Sequence, residues 1–132
     1  MILTDFNDFP RTGRLLGIDW GTKRIGLAIS DPAQDFVFTR PAIKEWNPNI
    51  IADENISGIV LGLPLCTDGT DSETTRKVRD FANALSEQTD APIIMLDETL
   101  TSFEAQTAQV TDIDSESAKI ILENAIAIMR RG

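Results

Sequence analysis

Histidine is absent from this 132-residue chain and cysteine occurs once, at Cys66. A single cysteine excludes an internal disulfide, and without histidine the donors of a zinc centre are missing. Basic residues are scarce, 12 Lys and Arg against 21 Asp and Glu, for a net charge of −9. Affinity for a phosphate backbone normally rises with neutralising Lys and Arg, so this balance argues against a tight, sequence-reading DNA binder. It does not exclude an enzyme whose bound cations supply the missing positive charge. No apolar run approaches the roughly 18 residues that span a bilayer. Residues 1–13 lack the basic-then-apolar order of a secretory signal. A cytoplasmic protein without a membrane partner is the expectation.

What is present suits one soluble domain: 42% hydrophobic and 25% charged residues, in a chain long enough to bury a core. We expect an N-terminal extension over 1–13 and a single domain over 14–132. Arg14 to Trp20 and Arg24 to Ser30 read as strands joined by a glycine-containing turn, a β-hairpin. A third strand is expected over Phe36 to Ile43, and at most a short helix within Glu45 to Asn55, which Pro48 interrupts. Ile56 to Leu65 reads as a central strand. Thr70 with Glu73 offers a capping box, and Val78, Phe81, Ala82 and Leu85 recur at helical spacing, predicting a helix over Asp71 to Gln88. Ile93 to Leu96 is a buried strand ending at Asp97-Glu98. A short helix over Ser102 to Val110 and a last one opened by Asp114 complete the chain. In that last helix Ala118, Ile121, Leu122, Ala125, Ile126 and Met129 line one face.

Three acidic positions stand at element ends: Asp19, Asp97-Glu98 and Asp114. Alone, Asp114 suits a helix N-cap, and Asp97-Glu98 suits a solvated strand end. Asp19 is different, because its flanks are apolar, Gly17 and Gly21 stand on either side, and a buried carboxylate needs a cation or hydrogen bonds to compensate it. If the two acid-bearing strands are parallel, their C-terminal ends share one side of the sheet, where open α/β sheets bind ligands. Oxygen-only donors suit Mg²⁺ or Mn²⁺. Two such ions, about 3.5 to 4 Å apart, can activate water and stabilise the leaving oxygen of a phosphodiester.

Four segments resemble, in order, the signatures of the YqgF/RuvX family of Holliday-junction-resolvase-like proteins. They are GIDWGTKRIGLAISD over 17–31, GIVLGLPLCTDGT over 58–70, LDETLTSFEA over 96–105 and IDSESAKIILENA over 113–125. Together they cover nearly the whole chain. The resemblance implies an RNase H-like α/β fold, a five-stranded mixed sheet flanked by helices. It also implies a metal-dependent nuclease that hydrolyses phosphodiester bonds in 5′-end processing of pre-16S rRNA. The catalytic and metal-binding residues carried over are Asp19, Asp97, Glu98 and Asp114, with Mg²⁺ or Mn²⁺, two ions, as cofactor. Which of Asp97 and Glu98 faces the metal stays open. Lys23 and Arg24 are placed near substrate phosphate, and Thr67 to Thr70 as lining the groove.

The expected partner is nucleic acid, RNA before branched DNA, and a homodimer is left open. Three features depart from the family pattern: Thr99 replaces an arginine, the segment 106–112 is short and lacks a basic, glycine-containing loop, and the helix before Gly58 is reduced. Thr cannot supply the bidentate phosphate partner that a guanidinium offers. Two other functions stand beside the nuclease, the first suggested by these departures and the second by the Asp-Trp-Gly-Thr stretch over 19–22. One is a catalytically weakened adaptor that binds RNA or protein. The other is a nucleotide-binding protein of the actin/Hsp70-like type, disfavoured by the short chain and the lack of a GxxxxGK[ST] loop.

Overall fold

In the computed structural model the described residues are 1–21, 23–64, 72–97 and 113–131. Their elements are β1 (Ile2–Leu3), β2 (Arg14–Trp20), β3 (Ile25–Ser30), β4 (Val37–Ile43), α1 (Asn49–Asp53), β5 (Ile56–Leu63), α2 (Glu73–Gln88), β6 (Ile93–Asp97) and α3 (Ile113–Arg131). The helix expected over Ser102 to Val110, the Thr67 to Thr70 loop and the residues Glu98 and Thr99 lie outside the described residues.

The strands form one six-stranded mixed sheet in the order β1-β6-β5-β2-β3-β4. β2 and β3 make the expected hairpin, with Asp19 opposite Gly26 and Trp20 opposite Ile25. β5 lies parallel to both β2 and β6. One strand more than the expected five is present because the N-terminal segment joins the sheet. Ile2 and Leu3 pair with Ile93 and Ile94, and the Ile93 N–H donates to the Met1 carbonyl at 2.8 Å. The rest of that segment is anchored too. Phe9 is buried beneath α3, and Arg11 donates to the Met129 carbonyl at 2.7 Å.

The central strands read as continuous apolar runs because both faces of the sheet are covered. Leu16, Ile18, Ile59 and Leu61 point to the side of α2, where they meet Val78, Ala82 and Leu85. Leu15, Val60 and Ile94 point the other way, against Ala118, Ile121 and Leu122 of α3. The two clusters alternate residue by residue, as the pleat requires. All six residues of the expected α3 face are buried.

α2 is capped two residues later than its sequence suggests. Ser72 is the N-cap and Thr75 its reciprocal partner, the backbone N–H of each donating to the other's hydroxyl at 3.1 Å. The stretch TDSETT allows either register, and Thr75 decides it. Its side chain is fully buried and its hydroxyl donates to the Pro64 carbonyl, tying the start of α2 to the end of β5. α1 is a five-residue helix, the reduced element expected before Gly58.

Candidate active site at the ends of the central strands

β2, β5 and β6 are mutually parallel, so Trp20, Leu63 and Asp97 end on one edge of the sheet. Asp19 and Asp97 stand at that edge, and the pleat sorts them. Gly17 lies against α3: a Cβ there would fall 2.8 Å from the Ala118 carbonyl oxygen and 2.9 Å from Leu122 Cβ. Asp19, two residues on in the same strand, projects to the same side. Its antiparallel neighbour Gly26 also faces α3, and a Cβ on Gly26 would collide with the carbonyl of Asp114. Two glycines on adjacent strands thus make a flat bed on which the first turns of α3 rest. The bed sets the backbone of Asp114 against Gly26, the strand partner of Asp19.

Asp114 stands inside the first turn of α3 rather than at its cap. Helix N-termini favour negative charge, so its carboxylate is well placed there. Asp19 and Asp114 are both half-buried.

Ser115 fixes the register of this docking. The β3–β4 ladder shifts between Ile25 and Leu27, where Ile43 and Arg40 are the partners, so β4 carries one extra residue. Pro41 lies in that bulge, on an edge strand, where its missing N–H costs little. The Ser115 hydroxyl enters the gap, accepting from the Leu27 N–H at 3.3 Å and donating to the Arg40 carbonyl. Ser115 is fully buried, and so is its bond from the Leu27 N–H, which has no water to turn to instead.

Asp97 is not brought to this side. In β6, Ile93 and Met95 pack on the α2 side and Ile94 and Leu96 on the α3 side. Alternation therefore turns Asp97 toward the α2 side, opposite Asp19, and it is exposed. Its backbone is also two strands from β2, about 10 Å at the usual spacing. Among the described residues no group of three acidic, histidine or cysteine side chains could hold a metal ion. Asp19 and Asp114 are the two described acids that share a side of the sheet at this edge.

The basic residues of the β2–β3 turn differ from one another. Lys23 is exposed. Arg24 pairs with Asp114, Nε to Oδ2 at 3.2 Å, with side chains 65% and 37% exposed. The donors that Asp19 and Asp114 offer are all oxygen, the kind that suits a hard divalent ion. In that sense the residues fit one. Gly26 and Ser115 were not singled out from sequence. Gly26 lies within the first signature, but its meaning depends on hairpin register and on where α3 lands.

No helix among the described residues is long and apolar enough to cross a membrane.

Residues 13–127 match the family model described as RuvX, Holliday junction resolvase. A protein of Maridesulfovibrio salexigens named "Putative pre-16S rRNA nuclease" is 43% identical over 132 residues, covering 86% of this chain and 98% of its own. One of the same name from Pelagibacter ubique is 34% identical over 129 residues, covering 90% and 85%. Among solved structures, Thermus thermophilus RuvC in complex with a Holliday junction substrate superposes with a TM-score of 0.60 at 12% identity, covering 89% of this chain and 95% of that one. The yeast mitochondrial Holliday junction resolvase gives 0.53 at 12% identity, covering 89% and 79%. These two likenesses establish the fold, which is RNase H-like, as the family resemblance implied.

Proposed function

The chain belongs to the RuvX family, and from that membership we propose that it is a divalent-metal-dependent nuclease acting in 5′-end processing of pre-16S rRNA. That it is a hydrolase of phosphodiester bonds follows from the family and its nuclease-named relatives. One observation supports the metal dependence: Asp19 and Asp114, far apart in sequence, lie on one side of the sheet, both beside Gly26. Asp19 and Asp114 would hold Mg²⁺ or Mn²⁺ there. The third carboxylate comes from the Asp97-Glu98 pair, and with Asp97 on the α2 side Glu98 is the member we assign.

When bound, the ions supply a nucleophilic water and neutralise charge on the leaving oxygen. The chain's own groups do the positioning. Asp19 comes from the rigid β2, and Asp114 is held in place through its neighbour Ser115. Lys23 and Arg24, in the turn beyond Asp19, supply positive charge for phosphate on a chain that is otherwise strongly acidic. Oxygen donors and a basic turn serve RNA and DNA backbones alike, and the naming of the relatives favours precursor rRNA.

The test is cleavage of a precursor-rRNA 5′ fragment and of a four-way DNA junction in Mn²⁺, by wild type and Asp19→Asn. RNA cleavage that the variant lacks, with unchanged circular dichroism, supports the reading. Equal cleavage by both proteins refutes it.

A further inference from the structure

We propose that Arg24 and a divalent ion are alternative partners of the Asp114 carboxylate, so that Arg24 is released to substrate phosphate as the ion binds. The inference rests on the nuclease reading and concerns the order of events within it.

The contact is direct, Arg24 Nε to Asp114 Oδ2 at 3.2 Å. An inner-sphere ion on that oxygen would stand beside a guanidinium of the same sign, so the two cations compete. The pair is open to water, with the Arg24 side chain 65% exposed, so its exchange requires no repacking. The backbone that follows Arg24 is fixed. Ile25, the next residue, is paired to Trp20 and to Ile43, and Gly26 is pressed against the Asp114 carbonyl. The Arg24 side chain, open to water, has room to swing. Once displaced it remains at the strand ends, tethered one residue from β3, and its planar fork suits a phosphate. An empty site thus keeps its phosphate-binding arginine occupied on an acid, and loading the site frees it. Ion binding and substrate binding are coupled by one side chain.

The two halves of the proposal have opposite signs, which makes them separable. Arg24→Ala should bind Mn²⁺ about two- to five-fold more tightly by titration calorimetry, the range set by an exposed ion pair. The same variant should bind a short RNA more weakly in Ca²⁺, and the ion should enhance its RNA affinity less than it does for wild type. Lys23→Ala removes the same charge one residue away and should shift Mn²⁺ affinity less than two-fold. In an Asp114→Asn background, Arg24→Ala should no longer tighten Mn²⁺ binding.

Unchanged or weaker Mn²⁺ binding by Arg24→Ala overturns the proposal, as does an equal effect from Lys23→Ala or persistence in the Asp114→Asn background. Thermal melting of each variant controls for folding. Failure of the nuclease reading looks different. It appears as wild-type protein that cleaves no substrate, or binds no Mn²⁺ at all, and the second of these removes the Arg24 proposal with it.

Discussion

The backbone of Gly26 lies directly against the carbonyl of Asp114, with no space for a side chain between them. Across the hairpin from Gly26 is Asp19. One missing Cβ therefore lets two acids from opposite ends of the chain share a neighbourhood. Gly26→Ala should lift the first turn of α3 from the sheet. We expect a loss of about 1 to 3 kcal/mol in denaturant unfolding, as for other overpacked sites. Cleavage should fall further than that loss of stability explains, because Asp114 moves with the turn. Full activity with intact folding would contradict this.

Asp97 and Glu98 should separate cleanly. Asp97 turns to the α2 side of the sheet, so Asp97→Asn should leave Mn²⁺ affinity and cleavage within a few-fold of wild type. Glu98→Gln should lower cleavage by two orders of magnitude or more, about the effect of losing an electrostatic partner in a transition state. Steady-state kinetics on both variants decides between the neighbours, and a dead Asp97→Asn would reverse the assignment.

Ser115→Ala leaves the Leu27 N–H and the Arg40 carbonyl without the hydroxyl that joins them. The Leu27 N–H is buried, and an unsatisfied buried group costs about 1 to 3 kcal/mol. Beyond the fall in stability, the Leu27 amide should exchange with solvent faster than its neighbours in β3. Hydrogen exchange read by NMR checks this, and unchanged protection at Leu27 would show that the bulge closes without the serine.

Asp31 closes the turn between β3 and β4, its Oδ1 accepting from the N–H groups of Asp35 and Phe36, both at 2.8 Å. The Phe36 N–H is the largest influence holding this carboxyl below its ordinary value. A depressed folded value stabilises the protein above the unfolded pKa, near 3.9. The contribution is lost as pH falls through the folded value. Urea unfolding of wild type and Asp31→Ala should therefore show a difference at pH 7 that shrinks as the pH is lowered from about 4 to 2. A constant difference across that range would mean that Asp31 acts through its shape, not its charge.

Much of the architecture was legible because it rests on local pattern. Apolar runs marked β2, β3, β5 and β6 within a residue or two, and the spacing of Ala118, Leu122 and Ala125 marked the buried face of α3. Boundaries slipped where two local solutions compete. Thr70 and Ser72 both suit a cap, and the long-range bond from Thr75 to Pro64 selects the second. The segment before Arg14 carried no readable period, because a two-residue strand and one buried phenylalanine find their meaning only in β6 and α3.

Asp19 stood out in sequence because a carboxylate amid apolar residues needs compensation, and that argument requires no coordinates. Its relation to Asp114, the turning away of Asp97 and the capture of Arg24 by Asp114 were decided by tertiary structure alone. Each depends on which side of a strand a residue occupies relative to α3, and pleat parity acquires a direction only when that helix has docked. Residue types thus determined what chemistry this protein can support. Packing of α3 across two glycines determined which of those residues stand together to perform it.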